Sequence, residues 1–443
     1  MDKIEFFDVI IVGAGFAGLS AGKYLSSKSV QCLVIEGRPR IGGRTLSEKV
    51  FDEKWTIDLG GQWIGPQQNR ILSLIDQFNL HLIEQTWYHQ DPTHLGQQLG
   101  LSPLNTDQID KIEKVCRQWD EMSLELPNVE NALEYEKSSQ WSQISVAQFI
   151  HEHPLVMNDD RIEQELKLHI LTLTACDAEN VSLLYWLILI RSIPGGLKNL
   201  DDGLNGAQHY KISSGTQHLC QRISENQNVR LNDPLLSINY QSNDQLVLTL
   251  KSGAQIRCQR VLLAFSPSLL STIEFLPSLS SENYSSMTMG QCIKTIFIYA
   301  KPFWRNILVN QTDQFGPCSN IFESNYPIAL IGLVLGERAS YWCKRDQNEL
   351  IESIIEQYSI LYNTDEKPLQ TFVQYWPKES LSKGCYAAVY PASLSSTWRN
   401  RTKPLIDGRI WLASTEMALE WIGYIEGAIE AGERFAQQIH QSL

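Results

Sequence analysis

Residues 8–22 read DVIIVGAGFAGLSAG. Val9, Ile10, Ile11 and Val12 form a continuous β-branched run, as expected of a parallel strand buried on both faces. Three glycines follow in the spacing GxGxxG. Gly13 permits a tight turn, Gly15 lets a pyrophosphate approach the backbone, and Gly18 lets the next helix pack close to the strand. Leu19, Ala21 and Leu25 then carry a helical pattern, and phosphates belong on that helix's N-terminus, where free N–H groups and the dipole favour negative charge. The glycines alone are a weak signal. Between a strand and a helix they read as a dinucleotide-binding unit.

A second strand, Gln31 to Ile35, ends on Glu36, at about the spacing where an acid binds the ribose hydroxyls of an adenosine. An ordinary solvated glutamate is the competing explanation, and the glycines argue against it. Next comes GRPRIGGRT, with Gly42, Gly43 and Arg44, and then DLGGQWIGPQQNR from Asp58 to Arg70, which includes Gly61. Nicotinamide dehydrogenases need no second glycine-rich passage there. FAD enzymes of the glutathione-reductase type do, because a longer cofactor is threaded between backbone segments. At this point the sequence resembles the flavin-dependent amine oxidases, specifically the monoamine oxidase branch, and the resemblance recurs down to the C-terminus.

The resemblance implies an α/β two-domain flavoprotein: a Rossmann-type FAD-binding domain of the glutathione-reductase type, interleaved with a mixed α/β substrate-binding domain. The FAD domain is expected over 1–86, 207–276 and 378–443, and the substrate domain over 87–206 and 277–377. Ile109, Ile112, Cys116 and Trp119 recur at helical spacing behind Thr106 or Asp107 as N-cap, and Val181 to Ile190 suggests a buried helix ended by Pro194, Gly195 and Gly196. KISSGTQ, Lys211 to Gln217, resembles the family's return to the flavin domain. Val229 to Phe265 then holds short alternating strands.

With 443 residues, 43% hydrophobic and 20% charged, the chain can bury a large core. A net charge of −13 argues against nucleic acid or an anionic membrane as partner. The nine cysteines show no CxxC or zinc spacing, which points to a reducing compartment, with the cytoplasm as default. No metal-ligand cluster is visible among the histidines, so no metal is expected. The N-terminus lacks a signal-peptide pattern, the longest apolar run, Leu183 to Ile190, is too short to span a bilayer, and nothing resembles the C-terminal anchor of the mitochondrial monoamine oxidases. The oligomeric state stays open, with a homodimer as one option.

RIWLASTEMALEWIGYIEGAIEAGERFA, Arg409 to Ala436, is the strongest family match. Its strand is expected to deliver Ser414, Thr415 and Glu416 to the middle of the cofactor, with Ile422, Gly423 and Tyr424 leading into a helix whose N-terminus faces the flavin pyrimidine. There a helix dipole stabilises negative charge on the reduced ring. Ser414 departs from the family's usual glycine. Trp376 and the run Gly384, Cys385, Tyr386 resemble the passage in which a cysteine bonds covalently to the flavin 8α carbon. A single cysteine is also a small buried hydrophobe, and related oxidases hold FAD without the bond, so both alternatives stand.

The resemblance also names the chemistry. Tyr386 and Tyr424 resemble the paired tyrosines that flank an amine's approach to the flavin, where aromatic faces attract and align its nitrogen. Lys294, in MGQCIKTIF, matches the lysine that holds a water against flavin N5. A lysine in an apolar strand is costly without such a partner. Gln208, in NGAQ, resembles a polar residue of the substrate cavity, while Asp177 and Glu420 read first as solvated surface acids, with added negative charge near Gln208 as the alternative. The implied activity is hydride removal from the carbon beside a nitrogen, giving an imine that water hydrolyses, with O2 reoxidising the flavin to make H2O2. A related oxidase of an amino acid or natural-product intermediate, for which Arg191 is the available carboxylate ligand, and a non-catalytic flavoprotein are the alternatives.

Overall fold

The computed structural model describes residues 4–85, 104–200, 205–242, 245–279, 287–304, 316–391, 397–406 and 408–443. The expected boundary at 86/87 falls outside these residues. The chain builds a mixed α/β fold on two principal sheets, with helices packed around them.

The first sheet has eight strands, ordered Glu274–Leu276, Leu235–Asn239, Leu246–Leu250, Gln255–Leu263, Glu5–Val12, Cys32–Ile35 and Val229–Arg230, with Ile410–Leu412 paired to Gln255–Leu263. Glu5–Val12 lies between two parallel neighbours, Ile10 opposite Val261 on one side and Leu33 on the other. Val9 to Val12 are therefore buried on both faces, which is why their pattern is continuous rather than alternating. The strand starts earlier than the apolar run, at Glu5, because its first residues find ladder partners while their side chains stay exposed. Gln255–Leu263 changes partner part-way: Ile256 and Cys258 face Leu246–Leu250, then Val261 to Leu263 pair with Ile410–Leu412. That switch brings the C-terminal strand to the same sheet end as the glycine turn.

The second sheet is antiparallel, in the order Asn320–Asn325, Ile328–Leu335, Cys292–Ile298, Gln370–Tyr375. Cys292–Ile298 is buried throughout, and its alternation has a consequence. Ile293 and Phe297 pack with Leu350, Ile354 and Tyr358, which include the helix Gln347–Tyr362. Cys292, Ile296 and Ile298 turn the other way, toward Trp376 and Cys385. Lys294 shares that second face by the two-residue period.

Leu183–Arg191 is apolar on every side and buried through Ile190, so it sits inside the helical layer rather than on it. Its start is two residues later than the expected Val181 because Ser182 occupies the N-cap. The helix Thr106–Glu125 is capped by Asn105 rather than Thr106 or Asp107. Asn105 Oδ1 accepts from Gln108 N at 2.9 Å and Gln108 Oε1 accepts from Asn105 N at 3.1 Å, a reciprocal capping box. A small sheet of Trp63–Ile64, Tyr210–Ile212 and Leu82–Glu84 sets Trp63 opposite Lys211, drawing the glycine-rich passage at 58–70 to the segment around Gln208.

Candidate active site

At the first sheet's end, the chain turns at Gly13 with φ of +113°, and Gly13 N donates to Ile35 O at 2.7 Å. A Cβ on Gly18 would stand 1.9 Å from Gly13 O, so the helix Phe16–Ser27 meets the turn only because position 18 has no side chain. Gly15 differs. A Cβ there would find its nearest protein atoms 3.8 Å away, yet the residue lines a cavity, so its bareness serves whatever enters that cavity. No side chain caps this helix, which leaves first-turn N–H groups for a ligand. Glu36 completes the cradle: Oε2 accepts from Ala14 N and Oε1 from Arg38 N, both at 2.9 Å.

From this cradle one continuous cavity of about 300 Å³ runs to the second sheet. Gly13, Gly15, Glu36, Gly43, Arg44, Gly61, Cys385, Ser414, Ile422, Lys294, Gln208, Tyr386 and Tyr424 all line it, uniting sites separated by hundreds of residues. Glu416, expected beside the middle of the cofactor, is not among the lining residues and stands one layer behind Arg44. Its fully buried carboxylate grips Arg44, with Nη1 to Oε1 at 2.8 Å and Nη2 to Oε2 at 3.1 Å, and accepts from Ala388 N at 3.1 Å. Burial pushes this carboxyl up, but the Arg44 charge and hydrogen bonds hold it below its ordinary value. Arg44 faces the cavity on its behalf. Trp376 is also behind the wall, its Nε1 donating to Leu59 O at 3.0 Å, and it packs with Cys385 and Tyr386.

Cys385 is buried beside Cys292, and both reach the cavity. Burial first, then the Cys292 thiol as hydrogen-bond partner, drive the Cys385 thiol well above its ordinary value. It is not an activated nucleophile in the bare protein. At the opposite wall, Thr415 Oγ1 donates to Tyr424 O at 2.8 Å, and Tyr424 is the N-cap of the helix Ile425–Ser442, whose first turn opens onto the cavity.

Two candidate acids stand elsewhere. Asp177 accepts from Glu337 N at 3.0 Å, and Glu420 pairs with Arg70 at 3.1 Å on the surface. Arg191 donates from Nε to Leu126 O at 3.5 Å and is absent from the cavity lining. Among the described residues no group of three or more His, Cys, Asp and Glu could hold a metal, and no helix is long and apolar enough to cross a membrane. Sequence reasoning missed Gln62, Trp63, Thr172, Leu189 and Phe322 on the cavity wall. Gln62 and Trp63 sit inside the quoted glycine-rich passage and were findable there. The other three come from ordinary helix and strand positions that carry no local mark.

A family profile described as flavin containing amine oxidoreductase matches residues 16–440. The chain belongs to this family. Among curated relatives of this flavin amine oxidoreductase, the flavin-containing amine oxidase A of Equus caballus is 28% identical across 99% of this chain and 86% of its own. The probable flavin-containing monoamine oxidase A of Dictyostelium discoideum is also 28% identical, across 99% of this chain and 98% of its own. Among solved structures, cyclohexylamine oxidase from Brevibacterium oxydans superposes with a TM-score of 0.86 over 98% of this chain and 99% of the other, at 22% identity. Wild-type putrescine oxidase bound to putrescine gives 0.82 with the same coverage and identity. The fold is that of the FAD-dependent amine oxidases, and the cofactor of this flavin amine oxidoreductase is FAD.

The residues present suit that cofactor. The bare Gly15, the uncapped helix start and Glu36 have the space and donors that an adenosine diphosphate would need at one end. At the other, the Gln208 Oε1 and Gln62 Nε2 atoms are buried without hydrogen-bond partners beside the cavity, as expected where a polar ligand completes the set.

Proposed function

We propose that this FAD-dependent amine oxidase works on a neutral monoamine with an apolar body, and that Lys294, Tyr386 and Tyr424 are its catalytic side chains. The observation that supports this is that a buried lysine and two tyrosines line the same cavity as the glycine turn and Glu36. When bound, FAD supplies the two-electron acceptor for the C–H bond beside the nitrogen, and O2 takes the electrons to leave as H2O2. The chain's own part is binding and orientation.

Tyr386 and Tyr424 flank the amine and aim its α carbon, a contribution through orientation. Lys294 holds a water on the reacting side of the flavin. Gln208 offers its free Oε1 to an N–H of the substrate. The one carboxylate lining the cavity among the described residues, Glu36, already accepts two backbone N–H bonds at the cradle end. An ammonium ion beside the tyrosines meets no other cavity-lining carboxylate among the described residues, and an unpaired buried cation is strongly disfavoured. The amine therefore binds neutral, and a diamine is a poor fit for its second charge. Thr172, Leu173, Tyr185, Leu189 and Phe322 supply the mainly apolar wall for the substrate's body.

The proposed domain division goes with this reading, supported by which segments share each sheet. So do a covalent link from Cys385, supported by its place at the cavity beside Tyr386, and a reducing compartment, supported by nine cysteines that form no disulfide. The test is anaerobic mixing of the yellow holoenzyme with alkyl and arylalkyl monoamines, diamines and amino acids while the visible flavin absorbance is followed. Bleaching by apolar monoamines ahead of diamines is the expected result. Bleaching by amino acids alone overturns the reading.

A further inference from the structure

Lys294 is 4% exposed in a strand with no exposed residue, so its nitrogen must be held from within. Nζ donates to Gly60 O at 2.9 Å and to Gln62 Oε1 at 2.6 Å, and stands 5.3 Å over the Trp63 ring. Burial brings the amine down to about 8. Asp58, Cys292 and Cys385 act against that shift, and Lys211 adds to it. The lysine thus sits close to its own titration in the physiological range, where a single hydrogen bond changes its charge.

Gln62 is the side chain that makes that bond, and its setting is unusual. It is 3% exposed, one end of its amide is spent on Lys294, and the other, Nε2, is buried without a partner. It also lines two cavities. One is the large cavity with the tyrosines, and the other is a cavity of about 20 Å³ where Asp58, Lys211, Ser213 and Ser324 meet apolar residues such as Ile57 and Ile296, with room for one water. Lys211 donates to Ser324 Oγ at 2.9 Å and is lowered by burial, with Asp58 partly restoring it. Asp58 is tied to Ser47 Oγ at 2.5 Å and to Thr216 N at 3.0 Å, and burial raises it.

We infer that Gln62 is the positioning residue of Lys294: its amide fixes the lysine nitrogen in the wall between the reaction cavity and the small cavity around Lys211 and Asp58, and so sets the charge that the lysine presents. The inference rests on the role proposed above for Lys294. A space-filling glutamine would have no reason to place a bare N–H between two cavities while holding a cation with its oxygen. An accepting oxygen favours the charged lysine. Removing it lowers the proton affinity of Lys294, and making it an anion raises it.

The experiment titrates the visible spectrum of the oxidised, substrate-free holoenzyme from about pH 6 to about pH 10, spanning the amine's lowered value. Wild type is expected to show an inflection near 8 that Lys294→Met abolishes. Gln62→Leu moves it down by about one pH unit and Gln62→Glu moves it up by about one, a tenfold change in proton affinity each way. In stopped-flow, the pH profile of flavin reoxidation follows the same shifts. If a variant loses FAD, the pH dependence of the apoprotein's thermal unfolding gives the same comparison. Both Gln62 variants titrating with wild type would overturn the inference while leaving the lysine's role intact. An inflection that survives Lys294→Met removes the lysine reading itself, and the inference with it.

Discussion

The guanidinium of Arg44 and the carboxylate of Glu416 meet edge to edge, 372 residues apart in sequence, with both nitrogen–oxygen contacts within 3.1 Å. Arg44 also donates to Tyr386 O at 2.8 Å. One arginine therefore ties together the glycine-rich passage, the tyrosine loop and the C-terminal motif, and it does so at the cavity wall.

Glu416→Gln should cost about 3 kcal/mol of stability and weaken FAD, because it leaves the Arg44 charge uncompensated in a buried site. The pair also fixes a pH dependence. With its carboxyl below the ordinary value of 4.5, Glu416 contributes stability that is present above that value and lost as pH falls through the lower, folded one. Chemical denaturation from neutral pH down to mild acid checks this. Wild type should fall more steeply than the glutamine variant, and parallel curves would remove the pair as a stabiliser.

Gly15→Ala and Gly18→Ala should fail in different ways. A methyl at position 18 collides with Gly13 O, so the apoprotein loses stability, by about 3 kcal/mol or more. A methyl at position 15 has room among protein atoms but intrudes on the cavity. Gly15→Ala should melt like wild type without FAD and take up FAD more weakly, as read by apoprotein melting and flavin fluorescence quenching.

Lys294 makes the apoprotein's stability rise with pH. Its amine titrates near 8 when folded, against an ordinary 10.5, so between these values the unfolded chain binds more protons. The charged form is penalised below about 8, and that penalty is relieved as pH climbs to about 10.5. Lys294→Met lacks the effect. The stability of wild type relative to this variant should increase from pH 7 to pH 10, and a constant difference would mean that the amine is not perturbed.

Tyr386→Ala and Tyr424→Ala should each slow anaerobic flavin reduction by about 10- to 100-fold, with smaller changes in amine binding, since misplaced reactants lose rate through orientation. Stopped-flow separates these effects. Wild-type reduction rates in both variants, with every amine tried, would remove the tyrosines from the mechanism.

Cys385→Ala should release all flavin on acid precipitation, whereas wild type retains it in the pellet. Flavin in the wild-type supernatant would leave Cys385 as a packing partner of Cys292 and Trp376. The amine oxidase assignment does not depend on the outcome.

What the sequence determined by itself is local and chemical. Val9 to Gly18 announced a buried strand, a tight turn and a close-packed helix because each residue's own sterics dictates its place. Arg409 to Ala436 pointed to the flavin partner through its resemblance to the amine oxidase family, legible because its strand, turn and helix are contiguous. Tertiary structure alone decided the rest. Glu416 pairs with Arg44, Trp376 stands behind the wall, and Asp177 and Glu420 lie elsewhere, since those outcomes depend on where distant backbones cross. The same holds for Gln62, which borders two cavities only because Trp63–Ile64 pairs with Tyr210–Ile212 while Lys294 arrives from a separate sheet. A residue's type limits what it can bond. Which group it meets is settled by packing between segments that carry no record of one another.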